Sequence, residues 1–569
     1  MKQNYFLLIA LFIFAFSNAQ APAIQWQKTL GGTGEDYAHS IQPTPDGGYI
    51  VAGYTDSTDG DVTGNHGGPD YWVVKLNPSG TIQWQKTLGG TGYDYAWSIQ
   101  PTTDGGYIVA GYTTSTDGDV TGNHGGNDYW VVKLNPSGTI QWQKTLGGTG
   151  DDGAYSIQPT PDGGYIVAGA TTSTDGDVTG NHGGNDYWVV KLNPSGTIEW
   201  QKTLGGTGYD EARSIQPTTD GGYIVAGRTY SIDGDVTGNH GGGDYWVVKL
   251  NPSGTIQWQK TLGGTGNDYA WSIQPTTDGG YIVAGSTYSN DGDVTGYQGS
   301  FDYWVVKLNP SGTIEWQKTL GGTGSDVAHS IQPTTDGGYI VAGRTYSTNG
   351  DVTGNHGSYD YWVVKLNPSG TIQWQKTIGG TGEDNAYSIQ PTTDGGYIVA
   401  GYTWSTDGDV TGNHGGSDSW VVKLNPSGAI QWQKTIGGTG GDLAYSIQPT
   451  TDGGYIVAGI TASNDGDVTG NQGGGDYWVV KLGPDGLATS GFVKNNINTY
   501  PNPACTILNL QVANNTSINK IIITDLTGKI VKEQTQNTTT INVENLAQGM
   551  YILEAYSGEQ KMVSKFVKE

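Results

Sequence analysis

One cysteine and three methionines stand in a chain of 569 residues. Cys505 has no intramolecular partner, so no disulfide framework is available. Charge is also scarce: Asp, Glu, Lys and Arg make up 14% of the chain, and acids outnumber bases 53 to 27, for a net charge of -26. An acidic balance of this kind repels phosphate backbones and anionic lipid, which argues against nucleic acid as a partner. Long apolar runs are missing apart from Phe6–Phe16, which is too short to cross a bilayer, so no transmembrane segment is expected. No ten-residue window has helical spacing of its apolar residues, which leaves little room for helix.

That single apolar run follows Met1-Lys2 and precedes Ser17-Asn18-Ala19, the small residues of a signal-peptidase site. Residues 1–19 are expected to be a signal peptide, with Gln20 the first mature residue. No cysteine lies near the cleavage point, so an amino-terminal lipid anchor is not expected.

Glycine is abundant at 95 residues, with 35 tyrosines and 19 tryptophans. Such numbers suit short strands joined by tight turns. The tryptophan of I-[QE]-W-Q-K-T recurs at Trp26, Trp84, Trp142, Trp200, Trp258, Trp316, Trp374 and Trp432, always 58 residues apart. A fixed period means stacked supersecondary units, each burying its apolar face on the next. Within one unit, Ile82–Thr87, Ala96–Pro101, Tyr107–Thr113 and Tyr129–Leu134 carry strand composition. Thr102-Thr103-Asp104-Gly105-Gly106 and Asn135-Pro136-Ser137-Gly138 read as hairpin turns.

Four-stranded meanders of this length predict an all-β chain, an eight-bladed β-propeller over residues 20–486. A β-solenoid and two four-bladed rings are the alternatives. The eighth copy ends at Tyr477–Leu482, and Ser490 stands where the next tryptophan is due. The last blade therefore lacks its outer strand, and Ile24–Thr29 is left over at the start. Pairing the two closes the ring and hides both edges. Ala96–Pro101 is then an inner strand and Ile82–Thr87 an outer one. The runs D-G-G-Y-I-V-A-G and D-Y-W-V-V-K-L-N-P-S-G resemble the delta-60 type of bacterial propeller repeat over residues 24–482.

Beyond a linker at 487–496 the repeat is lost, and residues 497–569 gain Asn, Thr, Lys and Ile. Tyr500-Pro-Asn-Pro503, Asp525-Leu-Thr-Gly-Lys529, Leu546-Ala-Gln-Gly-Met-Tyr551 and Lys565-Phe-Val-Lys568 follow in order. This tail resembles the type IX secretion sorting domain of Bacteroidota. The resemblance implies a small β-sandwich, the type IX secretion machinery as a partner, and a mature protein that is secreted or held on the outer cell surface.

The loop Asp117-Gly-Asp119-Val-Thr121-Gly-Asn123-His124-Gly-Gly-Asn127-Asp128 is the richest in polar side chains. Oxygens from Asp117, Asp119, Thr121 and Asn123, a central Gly and a closing Asp128 echo a calcium loop, and calcium is the one cofactor expected. Thr at the fifth place and Asp at the twelfth depart from that pattern. The alternative is that these residues cap turns. His66, His124, His182, His240, His356 and His414 hold one equivalent position, with Gln298 and Gln472 in the remaining copies. One His per unit without a second is poor for zinc, so a packed or solvent-facing loop His is expected.

Most columns of the repeat are invariant, and three vary. Before Ser-Ile-Gln stand His39, Trp97, Tyr155, Arg213, Trp271, His329, Tyr387 and Tyr445. After Val-Ala-Gly stand Tyr54, Tyr112, Ala170, Arg228, Ser286, Arg344, Tyr402 and Ile460. Two residues further on come Asp56, Thr114, Thr172, Tyr230, Tyr288, Tyr346, Trp404 and Ala462. If the inner hairpin turns at Thr103–Asp104, Tyr95 lies opposite Tyr112 and Trp97 near Ala110. The varied residues then gather at one end of the hairpin, beside the crossing and Asp-rich loops. Aromatics and Arg suit stacking on sugars or anchoring a protein; drift among duplicated copies is the competing account. Glu35, Glu211 and Glu383 are scattered over different units and form no acid–base pair. The expectation is a non-catalytic binding module for a glycan or surface protein. A polysaccharide-degrading enzyme and a structural surface component are the alternatives.

Overall fold

A computed structural model describes residues 20–485, 497–512, 518–525, 529–535, 539–557 and 560–569. The expected signal peptide and the expected linker at 487–496 lie outside the described residues. Among the described residues there is no helix, and none is long and apolar enough to cross a membrane. The chain forms two compact units, Asn18–Asp485 and a second containing Gly486–Glu569.

The first unit is eight four-stranded antiparallel sheets. In one blade the strands run Asp94–Pro101, Tyr107–Thr113, Asp128–Leu134 and Ile140–Leu146, from inner to outer. Each outer strand is thus the Trp-bearing segment that opens the next copy. The eighth blade takes its outer strand from the start of the chain: Ile24–Leu30 pairs with Asp476–Leu482, with Gln27 opposite Val480 and Leu30 opposite Tyr477. The ring closes as the spare strand implied.

Turn chemistry sets the hairpins. Gly105 has φ +79°, a left-handed conformation that favours glycine. Asp104 Oδ1 accepts from Gly106 N at 3.0 Å and from Lys133 Nζ at 3.0 Å. Lys133 is buried, and its ion pair with Asp104 is 2.9 Å long.

The third strand, D-Y-W-V-V-K-L, is buried at all seven positions because a neighbouring blade packs on each face. Ile50, Ala52, Tyr71 and Val73 of one blade form a single core with Ile99, Val109, Trp130 and Val132 of the next. Burying such faces supplies the main driving force, roughly 25 cal/mol per Å² of apolar surface. The Tyr71 hydroxyl crosses this core and donates to Trp130 O at 2.8 Å. Gly111 makes room for it: a Cβ there would lie 2.8 Å from that hydroxyl and 1.8 Å from Tyr95 O. The same bond recurs around the ring and closes it, Tyr477 to Trp72 O at 2.8 Å. At one junction the column reads Ser419, so Trp420 is preceded by a side chain that cannot reach across.

The second unit has a three-stranded sheet (Ile497–Tyr500, Ile507–Val512, Thr540–Asn542) and a four-stranded one (Lys520–Thr524, Ile530–Gln534, Gly549–Ser557, Gln560–Lys568). Leu508 and Ile541 of the first share a core with Ile521, Ile523, Leu553 and Phe566 of the second. This is the small two-sheet domain implied by the tail.

Two outcomes are expected. Tyr129→Phe removes one crossing bond and lowers the unfolding free energy by about 1 kcal/mol in denaturant titration, whereas Ser419→Tyr supplies the absent bond and raises it by a similar amount. A protein lacking residues 20–30 exposes the edge of Asp476–Leu482 and should associate, which size-exclusion chromatography reads directly.

Candidate binding face

The three varied columns occupy different depths at one end of the blades. A β-bulge decides this. Ala96 pairs with Gly111 and Ser98 with Ala110, leaving Trp97 as the extra residue between them. Tyr95 pairs with Tyr112, as the hairpin reading required. Because of the bulge, Ala96 and Ile99 both enter the core, three places apart, while Trp97 is released from it.

The first column forms a collar around the axis, every member half-buried. His39 lies 4.4 Å from Trp97 and 6.0 Å from Tyr445 between ring centroids. Tyr445 meets Tyr387, and Tyr387 meets His329, each at 5.5 Å. His329 meets Trp271 at 6.4 Å. The Arg213 guanidinium sits 5.4 Å above Trp271 and 4.6 Å above Tyr155. Burial pushes His39 and His329 down to about 4, so both are neutral at ordinary pH.

The second column lies outside the collar, with Tyr402, Ala170, Ser286 and Ile460 buried. It is woven into a column that sequence reasoning passed over, two residues before the collar: Tyr37, Tyr95, Gly153, Glu211, Tyr269, Val327, Asn385 and Leu443. Its variation from copy to copy was the available signal. Tyr54 meets Tyr95 edge-on at 4.4 Å and Tyr37 at 5.1 Å. Buried Glu211 pairs with Arg213 and Arg228, both at 2.7 Å, and Arg228 lies between Tyr209 and Tyr269 at 5.1 and 5.2 Å. Glu383, from a loop, accepts from the Tyr402 hydroxyl at 2.8 Å and lies 3.5 Å from Arg344, whose guanidinium covers Tyr359 at 4.4 Å.

Only the third column is open. Trp404 is 54% exposed, Tyr288 and Tyr346 50%, and Tyr230 37%. Tyr230 shares a 2.9 Å hydroxyl contact with Tyr269. Tyr346 packs on Tyr359 at 5.1 Å, and Tyr288 on Phe301 at 5.2 Å.

The Asp-rich loop spends most of its oxygens on the fold. Asp117 accepts from Thr91 N at 2.7 Å and from its hydroxyl. Thr121 Oγ1 accepts from Gln143, and Asn123 joins Thr113 O to Gly125 N. Asp128 Oδ2 accepts from His124 N and pairs with its Nδ1, each at 2.9 Å. The buried Oδ1 of Asp128 is left without a hydrogen bond, while Asp119 N donates to Gly89 O at 2.8 Å. Among the described residues no three His, Cys, Asp or Glu side chains come together as a metal group.

The loop histidines therefore hold buried aspartates, and they reach across the blade junction: His182 Nε2 lies 3.9 Å from Asp235 of the next blade. Beside this contact runs a groove of about 480 Å³ lined by Thr179, His182, Lys202 and Asp235. Equivalent grooves lie beside His66, His124 and His240, outside the three varied columns.

Residues 498–569 match the family described as a secretion system C-terminal sorting domain. The chain is a protein sorted by the type IX system, secreted or placed on the outer cell surface. Over 425 residues it is 25% identical to the regulatory protein FlaEY of Caulobacter vibrioides, an alignment covering 67% of this chain and 43% of that one. The chain thus spans less than half the length of that relative. Among solved structures, PorZ, a surface component of the type-IX secretion system of Porphyromonas gingivalis, is 12% identical with a TM-score of 0.37, over 92% of this chain and 64% of that one. Puromycin hydrolase is 12% identical with a TM-score of 0.40, over 78% and 61%.

The buried aspartates give this sorted ring a pH dependence. Burial pushes Asp128 up to about 6, with His124 partly offsetting it. Where Gln replaces His, Asp302 and Asp476 stand at about 7. A carboxyl whose folded value exceeds its unfolded one, near 4, binds its proton more tightly in the ring. That contribution is complete below about 4 and is lost as pH rises through 6 to 7. Asp104 opposes it: despite burial, bonds from Thr102, Lys133 and Gly106 hold it at about 2, so its contribution is lost as pH falls from about 4 toward 2. The unfolding temperature should therefore rise from pH 8 to pH 5 and fall again below pH 4. Gln298→His should flatten the upper limb, as scanning fluorimetry across pH would show.

Proposed function

We propose that the ring is a non-catalytic binding or adhesion module of the cell surface, taking a glycan or a surface protein on the face that carries the three varied columns. The observation that carries this reading is the open row of Tyr230, Tyr288, Tyr346 and Trp404. Tyr230, Tyr288 and Tyr346, braced by Tyr269, Phe301 and Tyr359, are rigid, amphipathic anchors, and Trp404 is the most exposed of the row. Four of them on one ring would add avidity.

The enzymatic alternative draws less support. Hydrolysis of a glycosidic bond uses two facing carboxyl groups about 5–10 Å apart, one of them held protonated. Of the carboxylates on this face, Glu211 and Glu383 belong to blades three apart and are each paired with Arg, while Glu35 and Asp56 lie together on another blade, where burial and then Glu35 push Asp56 up. Calcium is proposed as a requirement of the Asp-rich loop, through Asp119 and Asp128 Oδ1.

Screening the secreted protein on a broad glycan array, with calcium and with chelator, tests the reading. The expected outcome is binding that Trp404→Ala, Tyr288→Ala and Tyr346→Ala each weaken by about 1–2 kcal/mol, roughly 5- to 30-fold. Loss on chelation supports the loop proposal. Release of sugar that Glu383→Gln abolishes would favour the enzyme, and ordered self-assembly without a soluble ligand the structural role.

A further inference from the structure

The open row is confined to one half of the ring. Tyr230, Tyr288, Tyr346 and Trp404 belong to the fourth, fifth, sixth and seventh blades, which share cores pair by pair. The same place holds Asp56, Thr114 and Thr172 in the first three blades and Ala462 in the eighth. A second column follows this division. The residue immediately before the third strand is Phe301 in the fifth blade and Tyr359 in the sixth, the rings on which Tyr288 and Tyr346 pack. In the first three blades it is Pro69, Asn127 and Asn185. In the fourth it is Gly243, where a Cβ would lie 2.8 Å from the Tyr230 ring, so that ring lies against bare backbone. All three arginines of the chain, Arg213, Arg228 and Arg344, stand in the fourth and sixth blades, each with 25–29% of its side chain exposed. Independent drift of eight copies would scatter such changes around the ring. Here the open rings, their supports and the arginines fall in the same four consecutive blades.

The chemistry of this arc selects among ligands. Its open rings stand one to a blade, and exposed acids, Asp233, Asp291 and Asp407, follow three residues further along the same loops. A protein partner draws its affinity from a contiguous, fully desolvated patch, which an interrupted row of rings set among acids does not offer. A polyanion is opposed by the same acids, because Arg213 and Arg228 share Glu211 and Arg344 faces Glu383. An uncharged glycan chain matches both features. The C–H faces of its sugars lie on aromatic rings, and its hydroxyls pair with carboxylates and with the guanidinium N–H groups that the Glu pairs leave over.

We infer that the fourth to seventh blades form one track, on which a single uncharged glycan chain lies across Tyr230, Tyr288, Tyr346 and Trp404. The inference rests on the proposed binding role of this face and adds to it the sector, the class of ligand and the requirement that the ligand be long. One chain engages rings on consecutive blades, so each contact after the first is intramolecular and affinity grows with chain length. The other half of the ring takes no part.

The test is titration of the secreted protein with oligosaccharides of the cellulose, xylan, mannan and laminarin series, from the disaccharide to the longest soluble chain, and with polygalacturonate, read by calorimetry and tryptophan fluorescence. At least one uncharged series should bind, with affinity rising about ten-fold or more from the disaccharide to the longest chain. Tyr288→Ala, Tyr346→Ala and Trp404→Ala should each weaken binding of the long chain, whereas Asp56→Ala and Thr172→Ala in the other half should leave it unchanged. Binding as tight to the disaccharide as to the long chain overturns the track. So does an equal loss with Asp56→Ala and Thr172→Ala, which spreads binding over the whole ring. In either case losses with the three aromatic variants leave the binding role of the face standing. Binding to polygalacturonate alone overturns the inference, as does failure of every glycan to bind, which leaves a protein as the ligand of this face. Glycan binding that none of the aromatic variants changes overturns both the track and the proposed binding face.

Discussion

The structure depends on one blade face closing over the next. Each third strand is buried on both sides, so no blade satisfies its own surface, and in every blade but the one with Ser419 the tyrosine near its start spends its hydroxyl on the next blade. Eight such contacts need a closed circuit, because an open array would end in two bare faces and two unpaired edges. Ile24–Leu30 completes the circuit by pairing with the last blade. Gly111 and its equivalents are part of the same constraint, since any side chain there would collide with the tyrosine that reaches across.

That constraint divides the repeat into columns that are held and columns that are free. Tyr, Trp, Val and Gly of the strands recur because each touches the same partners in the adjoining blade. The aspartates at the strand ends recur because they tie crossing loops to the following hairpin: Asp94 accepts from Gly90 N at 3.0 Å and from Ser115 at 2.8 Å. The columns beyond this framework, at the axis and on one face, depart from eightfold symmetry. There the Glu211 and Glu383 clusters mark out two sectors of the ring, and aromatic side chains fill the space between them.

Buried charge follows the same division. Lysines of the third strand are matched by turn aspartates in every blade, which keeps a costly burial paired. The aspartates that open the third strands are matched only by a loop histidine or the backbone N–H of a loop glutamine, and one oxygen of each is left without a partner. Acid therefore favours the junctions while it opposes the turns.

The sequence by itself determined the number of blades, the strand order, the closing strand and the export tail. Each of these follows from period, turn residues and a spare segment, all of them local. The invariant columns also identified themselves, because repetition exposes what packing demands. Only the tertiary structure decided which varied residues reach solvent. Strict alternation would carry Tyr95 and Trp97 to the same side, but the bulge after Ala96 sends Trp97 to the axis and leaves Tyr95 against Tyr112. Glu211 looked isolated along the chain, and it becomes the centre of a cluster because arginines two residues away and across the hairpin converge on it. Side-chain convergence of that kind depends on register and on the neighbouring blade, and neither is written in the local pattern of residues.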